Sequence, residues 1–211
     1  MGSHKEVRYA IVGMGDIAQE DMMPGVDHTG NSIITALVTS NPKKAQELSK
    51  KYGVDSTFKY EEFPRALASG SFDAIYVATP NWRHGEFVVP ALRAGIHVPC
   101  EKPMEISTAK CQEILDACRI ASAKLMIGYR LHFEPGTLST IEVVRSGILG
   151  EVHTFASTFA QPLDPSNHRA HSGDLAGPVL DIGPYPVNAA RYHFGFFVTF
   201  RRLLRDTTSK K

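Results

Sequence analysis

Apolar residues along this chain gather in short runs of strand length, separated by polar stretches with helical spacing. Val7–Val12, Ser32–Thr39, Asp73–Ala78, Gly95–Cys100 and Leu125–Tyr129 are near-continuous apolar runs. Runs of this length, bounded by Gly, Pro, Asn or Ser, predict strands buried on both faces. Between them, Pro42–Tyr52, the set Phe87, Val88, Ala91 and Leu92, and Ser107–Ala123 repeat at helical intervals. Regular alternation of strand and helix predicts an α/β fold with a doubly wound parallel sheet. Beyond Tyr129 the texture changes. Pro135–Arg145 reads as a helix closed by Gly147, and Val152–Phe159 alternates as a half-exposed strand would. Residues 162–177 form a polar stretch too long for an ordinary connection, expected to be functional or mobile. Leu180–Tyr185 then leads into a last helix ending near Phe194. Two domains are expected, 1–128 and 129–211, the second a short α+β one.

Composition adds little beyond exclusions. The chain has 211 residues, 43% hydrophobic and 21% charged, with 23 basic against 22 acidic side chains. A balance of +1 gives no reason to expect a nucleic-acid or membrane surface. No apolar run approaches the roughly 18 residues of a membrane span. The N-terminus runs straight into a strand without a secretory pattern, so a cytoplasmic location is expected. Cys111 and Cys118 share one predicted helix, about 10 Å apart at ~1.5 Å per residue, too far to bridge. With Cys100 the third cysteine, reduced thiols are expected. His168 and His171 lack a clustered third ligand, so no metal site is expected and loop histidines are the reading.

The chemistry-bearing residues sit where the predicted strands end. After the first strand comes Gly13-Met14-Gly15-Asp16-Ile17-Ala18, the G-x-G-x-x-A pattern in the strand-to-helix setting that a dinucleotide site requires. Gly13 would make the tight turn and Gly15 would admit a pyrophosphate. Ala18 would let the helix pack close, with the free amides at Asp16 and Ile17 facing the phosphates. After the second strand, Thr39-Ser40-Asn41-Pro42-Lys43-Lys44 holds no carboxylate to take a ribose 2′-hydroxyl. Thr39, Ser40, Lys43 and Lys44 suit a 2′-phosphate, which favours NADP over NAD, although both lysines would equally serve as the solvated start of a helix. Thr79-Pro80-Asn81-Trp82-Arg83-His84 follows the third strand, and Cys100-Glu101-Lys102-Pro103 ends the fourth. Ligands of open parallel sheets bind beyond the strands' carboxyl ends, so Glu101 and Lys102 are placed for chemistry, or for a surface ion pair at a loop exit.

Taken together these stretches resemble the glucose-fructose oxidoreductase/inositol dehydrogenase family, Gfo/Idh/MocA, over roughly residues 7–195. The matching features are G-x-G-x-x-A, Thr79-Pro80-Asn81 with His84, Cys100-Glu101-Lys102-Pro103, and Asp181 four residues before Tyr185. Leu125-Met126-Ile127-Gly128-Tyr129-Arg130, with His132, Pro135 and a Tyr where most members have His, resembles the glucose-fructose oxidoreductase branch. The resemblance implies a Rossmann domain and an NADP-dependent oxidoreductase moving hydride between nicotinamide and a sugar or polyol. It also implies homo-oligomers for full-length members. It matches Lys102, Asp181 and Tyr185 to catalytic positions, and Gly13, Gly15, Asp16, Ile17, Thr39, Ser40, Lys44, Thr79, Pro80, Asn81, His84, Glu101, Lys102 and Arg130 to cofactor contacts. A phenol near its ordinary pKa of about 10 is a poor base alone. A neighbouring ammonium favours the phenolate, so Lys102 would hold the substrate oxygen and assist Tyr185 while Asp181 orients a hydroxyl. Tyr185 as a packing residue and Asp181 as a cap are the structural alternatives. Arg169 and Trp82 are further candidates for sugar and cofactor, and Arg130 and His132 for the nicotinamide.

Two departures from the family pattern set up a competing expectation. Gly177 is followed at once by Pro178, where members carry several glycines. Members also continue for well over a hundred residues into a large, mostly antiparallel sheet. Here Phe196-Phe197-Val198-Thr199-Phe200-Arg201-Arg202 does not look like that continuation and is expected to be a non-native tail, or an amphipathic membrane segment. The alternative function is a truncated product that binds a dinucleotide without turnover.

Overall fold

The computed structural model describes residues 6–160, 162, 164–165 and 177–194. His168, Arg169, His171 and the tail from Gly195 lie outside the described residues. The backbone divides into two compact units, Met1–Tyr129 with Asp164–Asp181, and Arg130–Leu163 with Ile182–Lys211.

The first unit carries six parallel strands: β1 (Val7–Val12), β2 (Ser32–Val38), β3 (Ser56–Phe58), β4 (Ala74–Val77), β5 (Val98–Cys100) and β6 (Leu125–Ile127). Their order is β3-β2-β1-β4-β5-β6. The chain therefore moves outward from β1 through β2 and β3, then returns to the other side of β1 with β4. That reversal opens a crevice at the carboxyl ends of β1 and β4, where such sheets bind ligands. The apolar runs are continuous because both faces are covered. Ala10, Val12, Ala36, Val38, Ile75 and Val77 point into one core with α3 (Phe63–Ala68), α4 (His84–Arg93) and α5 (Thr108–Ile120). The intervening Ile11, Leu37 and Tyr76 point into the other, with Met14, Ala18, Met23 and Leu48. Phe87 of α4 meets the rings of Tyr60 and Phe63 at 5.2 and 5.1 Å, which fixes α4 against the β3–α3 segment. Fully buried Leu92, Val88 and Ile114 each contribute about 1.5–3 kcal/mol by leaving water.

Helix starts follow their caps. Asn41 accepts from the Lys44 amide at the head of α2 (Pro42–Tyr52), and Ser107 from the Lys110 amide at the head of α5. The helix after β1 opens as a π-helical segment, Ile17–Met22, and continues as α1 (Met23–Asp27). This irregularity, β3 and α3 were not expected from the apolar pattern. In the second unit, Glu134 caps α6 (Pro135–Arg145) through the amides of Gly136 and Thr137, and a helix spans Pro184–Phe194. The expected strand Val152–Phe159 is corrected: residues 152–160 form no ladder and are mostly exposed. Alternation records amphipathy alone; a strand also needs a neighbour, and the described strands all belong to the six-stranded sheet.

Candidate active site

The turn after β1 is held from two directions. The Gly13 amide donates to the Val38 carbonyl of β2 at 3.0 Å. Gly13 has φ +93°, and a Cβ there would lie 2.7 Å from the Ala78 carbonyl oxygen beyond β4. Only glycine fits a left-handed turn wedged against a neighbouring backbone. Gly15 is half-buried, and a Cβ there would meet only the Ala78 oxygen, at 4.0 Å. Asp16 is exposed and Ile17 half-buried at the start of the π-helical segment.

At the end of β2, Thr39 is buried, donates its amide to Phe58, and its hydroxyl accepts from Asn41 at 3.2 Å. Ser40 is exposed. Lys44 reaches back from α2 and donates to the Met14 carbonyl at 2.8 Å. Lys43 points outward, 83% exposed, 4.0 Å from Glu47. At the end of β4, the Thr79 hydroxyl is buried without a hydrogen-bond partner among the described residues. Pro80 and Asn81, both half-buried, lead into the turn Asn81–Arg83, and Lys110 donates to the Trp82 carbonyl at 3.3 Å. An orphaned buried hydroxyl beside a glycine cradle fits a polar ligand at these strand ends, as the residue types at Gly13, Gly15 and Thr79 fit a dinucleotide.

The resemblance places His84 among the cofactor contacts; in the structure its ring is wholly buried. Its Nε2 faces the Thr79 carbonyl at 3.0 Å, and its Nδ1 faces the Pro103 carbonyl at 2.9 Å. Burial lowers its pKa against the opposing pull of these carbonyls and of Glu105. His84 thus ties the β4 turn to the loop that carries Lys102.

Beyond β5, Glu101 hydrogen-bonds its amide to Val77 and its carboxylate to the Tyr76 hydroxyl at 2.5 Å. Burial, then the Glu101 charge, pushes the Tyr76 pKa far above its ordinary value, so this phenol is a neutral donor. Tyr76 escaped the sequence reading; the available signal was a phenol in the middle of a buried strand, which requires a partner. Lys102 donates to the Asp181 main-chain oxygen at 2.7 Å and to its carboxylate at 3.0 Å, with side chains only 11% and 15% exposed. Two residues far apart in sequence are thereby joined within the first unit. In the second unit, Tyr185 is half-buried with its ring stacked 5.9 Å from Phe159, and Arg130 is exposed. His132 meets the Asn188 side-chain oxygen at 2.6 Å. Among the described residues no cluster of three or more metal-ligating side chains occurs. No described helix is long and apolar enough to cross a membrane.

A parallel sheet with this strand order, a glycine turn at its switch point and a Lys–Asp pair at its carboxyl edge defines a Rossmann fold with polar groups gathered at the ligand-binding edge. Residues 7–129 match the oxidoreductase family with an NAD-binding Rossmann fold, GFO_IDH_MocA, and residues 138–205 match a C-terminal domain of the same family. The chain belongs to the Gfo/Idh/MocA oxidoreductase family. The second match runs through residue 205, which corrects the expectation that the chain leaves the family pattern after Gly195. The chain is 34% identical over 194 residues to D-xylose 1-dehydrogenase [NADP(+)] of Haloarcula marismortui, covering 88% of this chain and 54% of that protein. Among solved structures, an aldose-aldose oxidoreductase from Caulobacter crescentus complexed with glycerol is 37% identical, with a TM-score of 0.80 over 90% of this chain and 58% of the other. A 3-ketoreductase from Actinomadura kijaniata, solved with NADP and TDP-benzene, is 27% identical with a TM-score of 0.82, over 90% and 58%. The chain thus spans little more than half the length of these relatives.

Proposed function

We propose that this protein is an NADP-dependent oxidoreductase of an aldose or related polyol. The observation that carries the reading is the largely buried Lys102 side chain held by Asp181 beyond β5, on a sheet whose first turn only glycine fits. Gly13, Gly15, Asp16, Ile17, Thr79, Pro80 and Asn81 would hold the dinucleotide, with Thr39, Ser40 and Lys44 toward its 2′-phosphate and Glu101 and Arg130 toward the nicotinamide. The nicotinamide, when bound, would supply the hydride acceptor or donor. Lys102 would bind the substrate oxygen at its Nζ, and Asp181 would fix the ammonium and orient a neighbouring hydroxyl. Tyr185 enters by its place in the family motif, as the group that takes the hydroxyl proton at its phenol oxygen. Support for NADP comes from the absence of a carboxylate after β2 and from the names of the relatives above. The aldose class rests on those names, and the glucose-fructose oxidoreductase branch on the run Leu125–Arg130.

The test combines binding with turnover. NADP should bind more tightly than NAD in calorimetry. A panel of aldoses should then reduce it, followed by nicotinamide absorbance. Tyr185→Phe should lower the rate by roughly 10²–10⁴ and leave cofactor affinity unchanged. A rate that survives the substitution would remove Tyr185 from the reaction. Tight NADP binding with no turnover on any aldose would favour a dinucleotide-binding protein without catalysis.

A further inference from the structure

The Met14 carbonyl oxygen lies in the middle of the glycine turn and receives two side-chain donors from different elements. Gln19 Nε2 reaches it from the helix that follows the turn, and Lys44 Nζ from α2, each at 2.8 Å. A main-chain carbonyl has two lone pairs, so both are occupied. The Met14–Gly15 peptide is planar and trans, which points its carbonyl and the Gly15 amide in opposite directions. Whatever holds the Met14 oxygen therefore sets the aim of the Gly15 N–H. Lys44 is able to reach because Asn41 caps α2 through the Lys44 amide at 3.0 Å, which fixes where the side chain starts. Its neighbour Lys43 points away toward Glu47.

We propose that Lys44 is a positioning residue for the pyrophosphate: by holding the Met14 oxygen it aims the Gly15 amide at the phosphates. This goes beyond a 2′-phosphate contact, since it makes Lys44 matter for a dinucleotide that has no 2′-phosphate. It rests on the reading of the turn as a dinucleotide site. Gln19 does the same work without a charge.

NAD is the probe, because it carries the pyrophosphate and lacks the 2′-phosphate. The full chain is compared with Lys44→Met, Lys44→Arg and Gln19→Leu by calorimetry, with ligand-free melting temperatures as the check on folding. Lys44→Met should weaken NAD about tenfold or more, and Gln19→Leu a few-fold, as loss of a charged and a neutral hydrogen bond would. Lys44→Arg, which keeps a charged donor, should recover most of the loss. If Lys44→Met weakens NADP but leaves NAD unchanged, Lys44 reads only the 2′-phosphate and the proposal is wrong. If Gln19→Leu has no effect on NAD, orientation of the carbonyl is not what matters, and the proposal is again wrong. A wild-type chain that binds neither dinucleotide would instead overturn the proposed function, and this inference with it.

Discussion

At the scale of single residues, the Thr79 hydroxyl separates what the fold needs from what a ligand needs. It is buried with no hydrogen-bond partner among the described residues, a condition that costs free energy in the ligand-free protein. Valine has nearly the same shape and no polar atom. Thr79→Val should leave the ligand-free protein as stable or more stable, by about 1–2 kcal/mol, while weakening dinucleotide binding. Denaturant unfolding and calorimetry measure the two effects separately, and lower stability with unchanged affinity would contradict the assignment. The motif residues were legible in sequence because their identities are unusual for their positions: glycines beyond a buried strand, and Glu101 and Lys102 at a strand exit. Their partners were not. Tyr76, Gln19 and the Met14 oxygen meet them only through the folded backbone, and nothing in local spacing reports a carbonyl's direction.

At the scale of elements, His84 joins the head of α4, the turn after β4 and the Lys102-bearing loop. Its pKa is depressed below the ordinary 6.5 because burial disfavours the charged ring. The unfolded chain binds a proton near 6.5 that the folded state refuses. This group's contribution is therefore complete above that pH and is lost as pH falls through the folded value. Glu105 is the carboxylate whose charge acts on the ring, with Lys110 3.6 Å from it; Arg83 and Lys102 adjoin the same segments. His84→Gln should flatten the decline of unfolding free energy as pH falls below about 6.5. Parallel slopes for variant and wild type in denaturant titrations would show that His84 is not the titrating group. Elements with a long apolar pattern, such as β1 and the helix Pro184–Phe194, or a clear cap, as in α2, were readable from the chain. β3 and α3 are too short to show a period, and α3 carries Pro64 at its start. The stretch Val152–Phe159 has the period of a strand but no ladder, since pairing depends on what lies beside it.

At the scale of the molecule, the domain boundary proposed near residue 128 meets a first unit that also takes in Asp164–Asp181. A sequence cannot show this, because the joining contact, Lys102 with Asp181, spans distant positions. A fragment ending at Tyr129 should fold and bind NADP, since every described strand and the glycine turn precede that point, but should turn nothing over without Asp181 and Tyr185. The second unit exposes Phe133, Ile148, Leu149 and Phe159, so the full chain should self-associate in light scattering at concentrations where the fragment stays monomeric. A fragment that aggregates or loses NADP would remove the boundary. The glycine turn also carries a kinetic consequence. It is closed by the Val38 oxygen on one side and the Ala78 oxygen on the other, from strands that come far later in the chain. No partly folded state lacking β4 can hold the phosphate cradle, and non-local strand pairing forms late. A dinucleotide should then act as a brake on unfolding without hastening folding, so the protein commits to its fold before it can recognise its ligand.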